Sequence, residues 1–434
     1  MNVKQVAINL ISQVDKGAYS NIALNETFKT LNINSKEKAF MTKIFYGVLR
    51  NKKFLDYIIE KNTKEIKKEW IRNLLRISIY QITFMDSDNK GIVWEATELA
   101  KKYSIAISKF INGTLRNYLR NKDSELKNLA DEKNYEVLYS IPKWFYNILE
   151  KQYRNENLKQ AITSLKKVPY LSVRVNKLKY TEKEFEEFLK EKDIQIIKKV
   201  DTVYYINSGL IINSEEFKTG KIIAQDASSY LAAKNLEVIP NELVLDICAA
   251  PGGKTAVLAE NMENRGEIIA IDVHQHKIKL IDTNMKKLGI DIVKATVMDA
   301  RNVNKQGRKF DKILVDVPCS GYGVIRKKPE ILYSKNRENI EELAKLQLEI
   351  LNSAADILKD GGELIYSTCT ITDEENTNNI EKFLKEREEF KVEKLYIPKN
   401  VSGDYDSLGG FCINYKEEIM DNFYIIKLKK GEKC

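Results

Sequence analysis

The stretch 244–255 reads V-L-D-I-C-A-A-P-G-G-K-T, and nothing else in the chain restricts the fold as tightly. Its apolar run ending at Asp246 predicts a buried strand. Pro251, Gly252 and Gly253 cannot continue that strand, and a helical pattern starts at Thr255. Strand, small-residue turn and helix start together bring backbone N–H groups and a helix N-terminus to the carboxyl end of a sheet strand. Further strands are predicted over 267–272, 293–298, 312–316 and 363–366, more weakly over 391–395, and over 423–428, with helical patterns between most of them. This β-α alternation predicts a doubly wound, mainly parallel α/β sheet that binds its ligand at the carboxyl ends of the strands.

The nearest familiar pattern for the turn is the phosphate loop G-x-x-x-x-G-K-[ST], whose end is met by Gly253, Lys254 and Thr255. Cys248 stands where the first glycine belongs, and Pro251 removes a donor that a phosphate nest would use. Four predicted strands end in carboxylates: Asp246, Asp272, Asp299 and Asp316. Asp272 lies about twenty residues beyond the glycine turn, the offset at which an acid takes a ribose hydroxyl. A single such aspartate is usually a helix cap, but four together fit a cofactor cleft. So much negative charge repels a phosphate-rich ligand and accepts a cationic one such as S-adenosylmethionine.

Two cysteines flank this cleft. Cys319 lies in D-V-P-C-S-G and Cys369 in Y-S-T-C-T, at the ends of strands expected to be neighbours. A free cysteine alone is most often a small buried hydrophobe. Two of them converging on one pocket suggest a thiolate that adds to an electron-poor ring. Five cysteines without a C-x-x-C pair, and only two histidines, His274 and His276, argue against a structural metal or a disulfide framework.

Residues 1–125 show helical spacing throughout, as in Val6, Leu10, Ile11 and Val14, and no strand alternation. Residues 1–130 hold 23 basic against 13 acidic side chains, a net of +10, within a chain whose total is +9. A basic helical domain beside a neutral body suggests a polyanion partner, with a lysine-rich solvated surface as the plain alternative. Arg50, Arg76, Arg116 and Arg120 are candidates for phosphate contacts or for ion pairs within the helices. Residues 126–164 read as a linker and helical segment, its charged, weakly patterned part spanning 123–140, and 165–222 as a small α+β module. Tyr170, Tyr204 and Tyr205 of that module are candidates for base stacking, or for ordinary packing. No run reaches the roughly 18 apolar residues of a membrane span and no signal-peptide pattern opens the chain, so a cytoplasmic protein is expected.

Q-D-A-S-S (225–229), the 244–255 stretch, D-V-P-C-S-G-Y-G-V-I-R-K-K-P-E (316–330) and Y-S-T-C-T-I (366–371) resemble the motif set of the Sun family of RNA cytosine-C5 methyltransferases. Y-S-N-I-A-L, Y-G-V-L-R, L-L-R-I-S-I-Y-Q-I-T-F-M-D and K-F-I-N-G-T-L-R-N in the first 125 residues resemble the NusB-like RNA-binding domain. The combination is similar, over almost the full chain, to the 16S rRNA methyltransferase B group.

The resemblance implies an all-α NusB-like domain (1–125), a helical linker segment (126–164), a small α+β RNA-binding module (165–222) and a Rossmann-like methyltransferase domain (223–434). It implies S-adenosylmethionine held by Cys248, Ala249, Ala250, Pro251, Gly252, Gly253 and Lys254, with Asp272 on the ribose, Asp299 near the adenine and Asp316 at the methionine end and the target base. It further implies Cys369 as nucleophile at C6 of a cytosine in 16S rRNA and Cys319 as the thiol that helps release the product; spacing alone does not choose between them. Lys254 assists near the pyrimidine or serves as a structural ion pair. Arg326, Lys327, Lys328 and Arg337 are candidates for phosphates around the flipped nucleotide. The chain departs from the family at Asn422, where glycine is common, and in a preceding loop without the usual histidine. A monomer with no metal is expected. Two other functions fit parts of the sequence: a nucleotide triphosphatase using Lys254 and Asp316, and a catalytically silent RNA-binding factor relying on the basic N-terminal domain.

Overall fold

In the first 130 residues, apolar side chains recur every three or four positions, so a single helix can bury only one stripe and must pack against others. The computed structural model describes residues 3–31, 33–132 and 134–432; Cys434 lies outside them. It divides into two compact units, Met1–Lys166 with Lys327–Asn336, and Lys167–Arg326 with Arg337–Cys434.

The first unit is helical: α1 (Val3–Asp15), α2 (Ser20–Thr30), α3 (Ser35–Arg50), α4 (Lys52–Asn62), α5 (Glu69–Phe84), α6 (Asn89–Lys101), α7 (Ile105–Asp131), α8 (Tyr135–Leu138), α9 (Lys143–Gln152) and α10 (Glu156–Lys166). Helix starts follow capping chemistry: Asn34 and Glu37 form a reciprocal capping box, and Asp88 caps α6. Helix α5 is buried on nearly every face, with Leu74, Leu75, Ile77 and Ile79 at 0% exposure, which marks it as the core helix. Arg76 on α5 is buried too. Its guanidinium donates to Asp56 at 2.8 Å, Asp15 at 2.9 Å and Asn73 at 2.7 Å, so it is an internal ion pair rather than a phosphate contact. The charged residues read as linker, 123–140, are largely helix, because α7 continues to Asp131 and α8 follows. Leu129, at 0% exposure, is the apolar anchor that carries α7 that far.

The second unit opens with a four-stranded antiparallel sheet of order β2-β3-β1-β4: β1 (Leu171–Val175), β2 (Ile196–Val200), β3 (Val203–Ile206) and β4 (Ile222–Ala224), with α11 (Glu182–Glu191) and α12 (Glu215–Lys218) in its connections. Val173, Val175, Phe185, Leu189 and Tyr204 form its core. Tyr204 and Tyr205 are both at 0% exposure, and the Tyr205 hydroxyl accepts the Ala227 N–H at 3.0 Å. They are packing residues, and only Tyr170 is exposed.

The remainder is α13 (Ala227–Lys234), β5 (Leu243–Ile247), α14 (Gly253–Asn261), β6 (Glu267–Asp272), α15 (Gln275–Leu288), β7 (Val293–Val297) and β8 (Phe310–Asp316). After α16 (Ile331–Ser334), which belongs to the first unit, follow α17 (Arg337–Asp356), β9 (Leu358–Thr368), α18 (Thr377–Glu386), β10 (Phe390–Glu393), β11 (Asp404–Tyr405), β12 (Phe411–Ile413) and β13 (Phe423–Lys430). The sheet order is β11-β12-β13-β9-β8-β5-β6-β7, with β10 also on β13. Strands β7, β6, β5, β8 and β9 run parallel, whereas β13 and its neighbours are antiparallel. Alternate residues serve opposite faces: Val244 and Leu314 pack under α13 and α14, while Leu245, Ile313 and Val315 pack against α17. The chain leaves β5 toward β6 on one side and returns to β8 on the other, so the crevice at the ends of β5 and β8 is the topological switch point.

Candidate active site

The turn after β5 is built for close backbone approach. Cys248 has φ +59° and Gly252 φ +95°, and a side chain on Gly252 would meet the Met285 methyl at 2.9 Å. The Ala249 N–H donates to the Ile271 carbonyl, and the Gly252 N–H to the Ala249 carbonyl. Gly252 is the N-cap of α14 and offers no side-chain cap. A cavity of about 160 Å³ opens here, lined among others by Gln225, Asp226, Asp246, Ala249, Lys254 and Asp316; Ala250, Pro251 and Gly253 also face it.

The four strand-end aspartates differ in their surroundings. Asp246 is at 0% exposure and accepts the Thr255 hydroxyl at 2.6 Å. Burial pushes its carboxyl up to about 7 against that hydrogen bond, and the Asp316 charge adds to the rise. Asp316 accepts Lys254 Nζ at 2.7 Å and the Ser367 hydroxyl at 2.8 Å. Burial alone would lower the Lys254 ammonium, but the Asp316 carboxylate outweighs it and holds the lysine above its ordinary value. Asp272 is buried beside Lys277 at 3.2 Å. Asp299 caps a short helical turn through the Arg301 N–H and pairs with the Arg301 guanidinium, which holds its carboxyl below the usual range. Asp246 and Asp316 therefore face the cavity, and Asp272 and Asp299 lie at the next two strand ends. Cys248 sits beside them, its thiol pushed up to about 12 by burial and by three neighbouring aspartates.

Cys319 and Cys369 converge at the ends of β8 and β9, with their sulfurs 3.1 Å apart. The hydrogen bond to Cys369, together with burial, holds the Cys319 thiol well above the usual thiol range. The residues that follow each cysteine, Ser320 and Thr370, join hydroxyl to hydroxyl at 2.6 Å. Beneath them Glu375, at 0% exposure, accepts the Ser320 N–H at 2.8 Å, the Gln347 amide at 2.9 Å and the Thr372 hydroxyl at 2.7 Å. Gly323 donates its N–H to the Cys369 carbonyl at 2.9 Å and accepts the Asn422 N–H at 3.1 Å.

Sequence reasoning placed the thiols and the turn but gave no role to Glu375, Gly323 or Gln225. Gln225 and Gly323 carried a visible signal, as members of Q-D-A-S-S and of the 316–330 block, whereas Glu375 carried none. Arg326 does not serve as proposed for phosphate. It is buried, and its guanidinium donates to the carbonyls of Glu417, Glu418 and Met420 at 2.8–3.0 Å. His274 and His276 stack on each other past Asp272.

The cavity wall fits a zwitterionic, positively charged ligand: it presents two carboxylates, the uncapped start of a helix, and two buried atoms without partners, Gln225 Nε2 and Asp246 Oδ1. A doubly wound sheet with this crevice at its switch point and a thiol pair alongside defines an S-adenosylmethionine-dependent methyltransferase. Residues 233–429 match the family model for 16S rRNA methyltransferase RsmB/F, residues 1–120 the NusB family and residues 141–215 the RsmF/B-like ferredoxin-like domain. The chain is 34% identical to the probable ribosomal RNA small subunit methyltransferase B of Bacillus subtilis (strain 168), with 99% of each covered. It is 32% identical to ribosomal RNA small subunit methyltransferase B of Shewanella oneidensis, covering 99% of this chain and 100% of that one. The crystal structure of PH0851 superimposes with a TM-score of 0.84 at 30% identity, with 99% of both chains covered. The chain belongs to the RsmB/F family of rRNA methyltransferases, and its cofactor is S-adenosylmethionine.

Proposed function

We propose that this protein methylates C5 of a cytosine in 16S rRNA through a transient bond between Cys369 and C6 of the base. The observation that carries the reading is the pair of sulfurs 3.1 Å apart at adjacent strand ends, next to the Lys254–Asp316 ion pair. Cys248 to Lys254 hold the cofactor, with Asp272 on the ribose, Asp299 near the adenine and Asp316 at the methionine end. When bound, S-adenosylmethionine supplies an electrophilic methyl group on a sulfonium. The target base must leave its stack, at a cost of a few kcal/mol that looped or single-stranded RNA lowers. Asp316 and Lys254 then hold its polar edge. The Cys369 thiolate adds to C6, which makes C5 nucleophilic enough to take the methyl group; loss of the C5 proton expels Cys369 and restores the ring. Cys319, which favours its protonated form, assists that release. The basic N-terminal helices supply sequence-independent attraction to rRNA.

Cys369→Ala is expected to abolish methyl transfer, measured by bisulfite sequencing of rRNA from a complemented deletion strain, while leaving cofactor binding intact. Cys319→Ala is expected to accumulate a covalent protein–RNA adduct on a denaturing gel. Methylation by the Cys369 variant, or absence of an adduct with the Cys319 variant, would contradict these roles.

A further inference from the structure

Gln225 directly follows β4, and its backbone N–H is fixed to the Ser172 carbonyl at 3.2 Å. Its side chain is only 7% exposed. Arg174 of β1, at 0% exposure, donates Nε to Gln225 Oε1 at 2.5 Å and is itself anchored to Glu260 on α14. A guanidinium can only donate, so the arginine decides which end of the amide faces it. The amide nitrogen must therefore point away from Arg174, and Gln225 is one of the residues that line the cavity. A Cβ on Gly253 would lie 3.6 Å from Gln225 Nε2, which places the nitrogen over the first turn of α14. Among the described residues, Nε2 has no hydrogen-bond partner.

The helix start it faces is equally unsatisfied. Gly252 provides no side-chain cap, so the N–H groups of the first turn have no capping side chain, and Gln225 Nε2 lies close to that turn. Convergent donors at a helix N-terminus bind an anion. Asp246 and Asp316 in the same wall make a polyanion unwelcome and require positive charge nearby. One ligand chemistry satisfies both: an α-amino acid end, with a carboxylate toward the donors and an ammonium toward the aspartates.

We propose that Gln225 and the first turn of α14 form the subsite for the carboxylate of the cofactor's amino-acid end, and that Arg174 holds the Gln225 amide in its donor orientation. This rests on the methyltransferase reading and adds to it a specificity-determining side chain supplied from the edge of the small antiparallel sheet. Arg174 is thus a positioning residue, and Gln225 the contact.

The test compares binding of S-adenosylmethionine and of 5′-methylthioadenosine, which keeps the adenosine and the thioether but lacks the amino acid, by isothermal titration calorimetry. Gln225→Ala should weaken S-adenosylmethionine roughly tenfold, the value of one hydrogen bond to a charged group. Gln225→Glu should weaken it further, because Arg174 still holds one carboxylate oxygen while the other meets the ligand's carboxylate. Affinity for 5′-methylthioadenosine should stay within about twofold of wild type in both variants, which also shows that the pocket is folded. Equal weakening of both compounds, or of neither, would overturn the assignment. A wild-type protein that binds neither compound would overturn the methyltransferase reading as well.

Discussion

Asp246 offers a direct test of how the cleft trades stability for ligand binding. The carboxyl is fully buried at the end of β5, with one oxygen on the Thr255 hydroxyl and the other without a partner among the described residues. Burial raises it to about 7. The native value lies above the unfolded one, so between pH 4 and 7 the native state holds a proton that the unfolded chain has lost. Stability contributed by this group therefore falls as pH rises through that window and is lowest above about pH 7. At about 1.4 kcal/mol per pH unit, ionised Asp246 destabilises the cofactor-free protein by on the order of 4 kcal/mol at pH 8. Asp246→Asn keeps the shape, keeps an oxygen for Thr255 and removes the charge. The variant should unfold at a higher temperature than wild type at pH 8, by several degrees, with the gap narrowing steadily toward pH 4. It should also bind S-adenosylmethionine more weakly, because the acceptor facing the cationic end is gone. Scanning calorimetry of the cofactor-free protein across that range, with titration calorimetry at pH 8, measures both. An Asn variant less stable at pH 8, or a gap that widens on acidification, would refute the account of Asp246 as an ionisable group held at a cost for its ligand.

Two further substitutions address the frame under the thiols. Glu375→Ala leaves the Ser320 N–H without an acceptor and strips the Gln347 amide and the Ser320 and Thr372 hydroxyls of a charged one, a loss of about 3–5 kcal/mol. Glu375→Gln, whose new amide faces hydroxyls able to accept, should lose only about 1 kcal/mol; equal losses in urea unfolding would show that the carboxylate is not the keystone. Gly323→Ala would place a Cβ 2.1 Å from the Asn422 carbonyl oxygen and 2.8 Å from that of Cys369, both backbone. The Cys369 loop must shift, so kcat should fall roughly a hundredfold with cofactor affinity unchanged, and a wild-type kcat would disprove the clamp.

The parts of this fold that were legible in the sequence are those written by a period or a breaker. The central parallel strand β5 carries a nearly unbroken apolar run because both its faces are covered, and the 244–255 turn is punctuated by proline and glycine. Strand β2 escaped because I-I-K-K-V sits at a sheet edge with Ile196 at 42% exposure, so no alternation marks a buried face. Helix α7 was cut short for the opposite reason: its last turns are charged on most sides, and a single leucine decides that they dock. Arg76 takes the second of its two readings, an ion pair within the helices, and Arg326 departs from its phosphate reading, because a basic residue looks the same in sequence whether it meets phosphate or is enclosed by carboxylates and carbonyls. The same holds for Glu375 and Gln225, whose importance lies in what surrounds them.

The thiols show most clearly what spacing leaves open. Two cysteines at neighbouring strand ends are chemically equivalent on paper, and either could be the nucleophile. Within the fold their surroundings are unequal. The Lys254 ammonium lies close enough to Cys369 for the two to interact, whereas the carboxylates of Glu375 and Asp316 raise Cys319 beyond what its bond to Cys369 and its burial already do. Burial, the bond to Cys369 and these carboxylates all favour the protonated form of Cys319. This direction accords with the proposal that Cys319 is the proton-bearing partner. Lys254 pairs with Asp316 at 2.7 Å, and its proposed part near the pyrimidine is compatible with that pair.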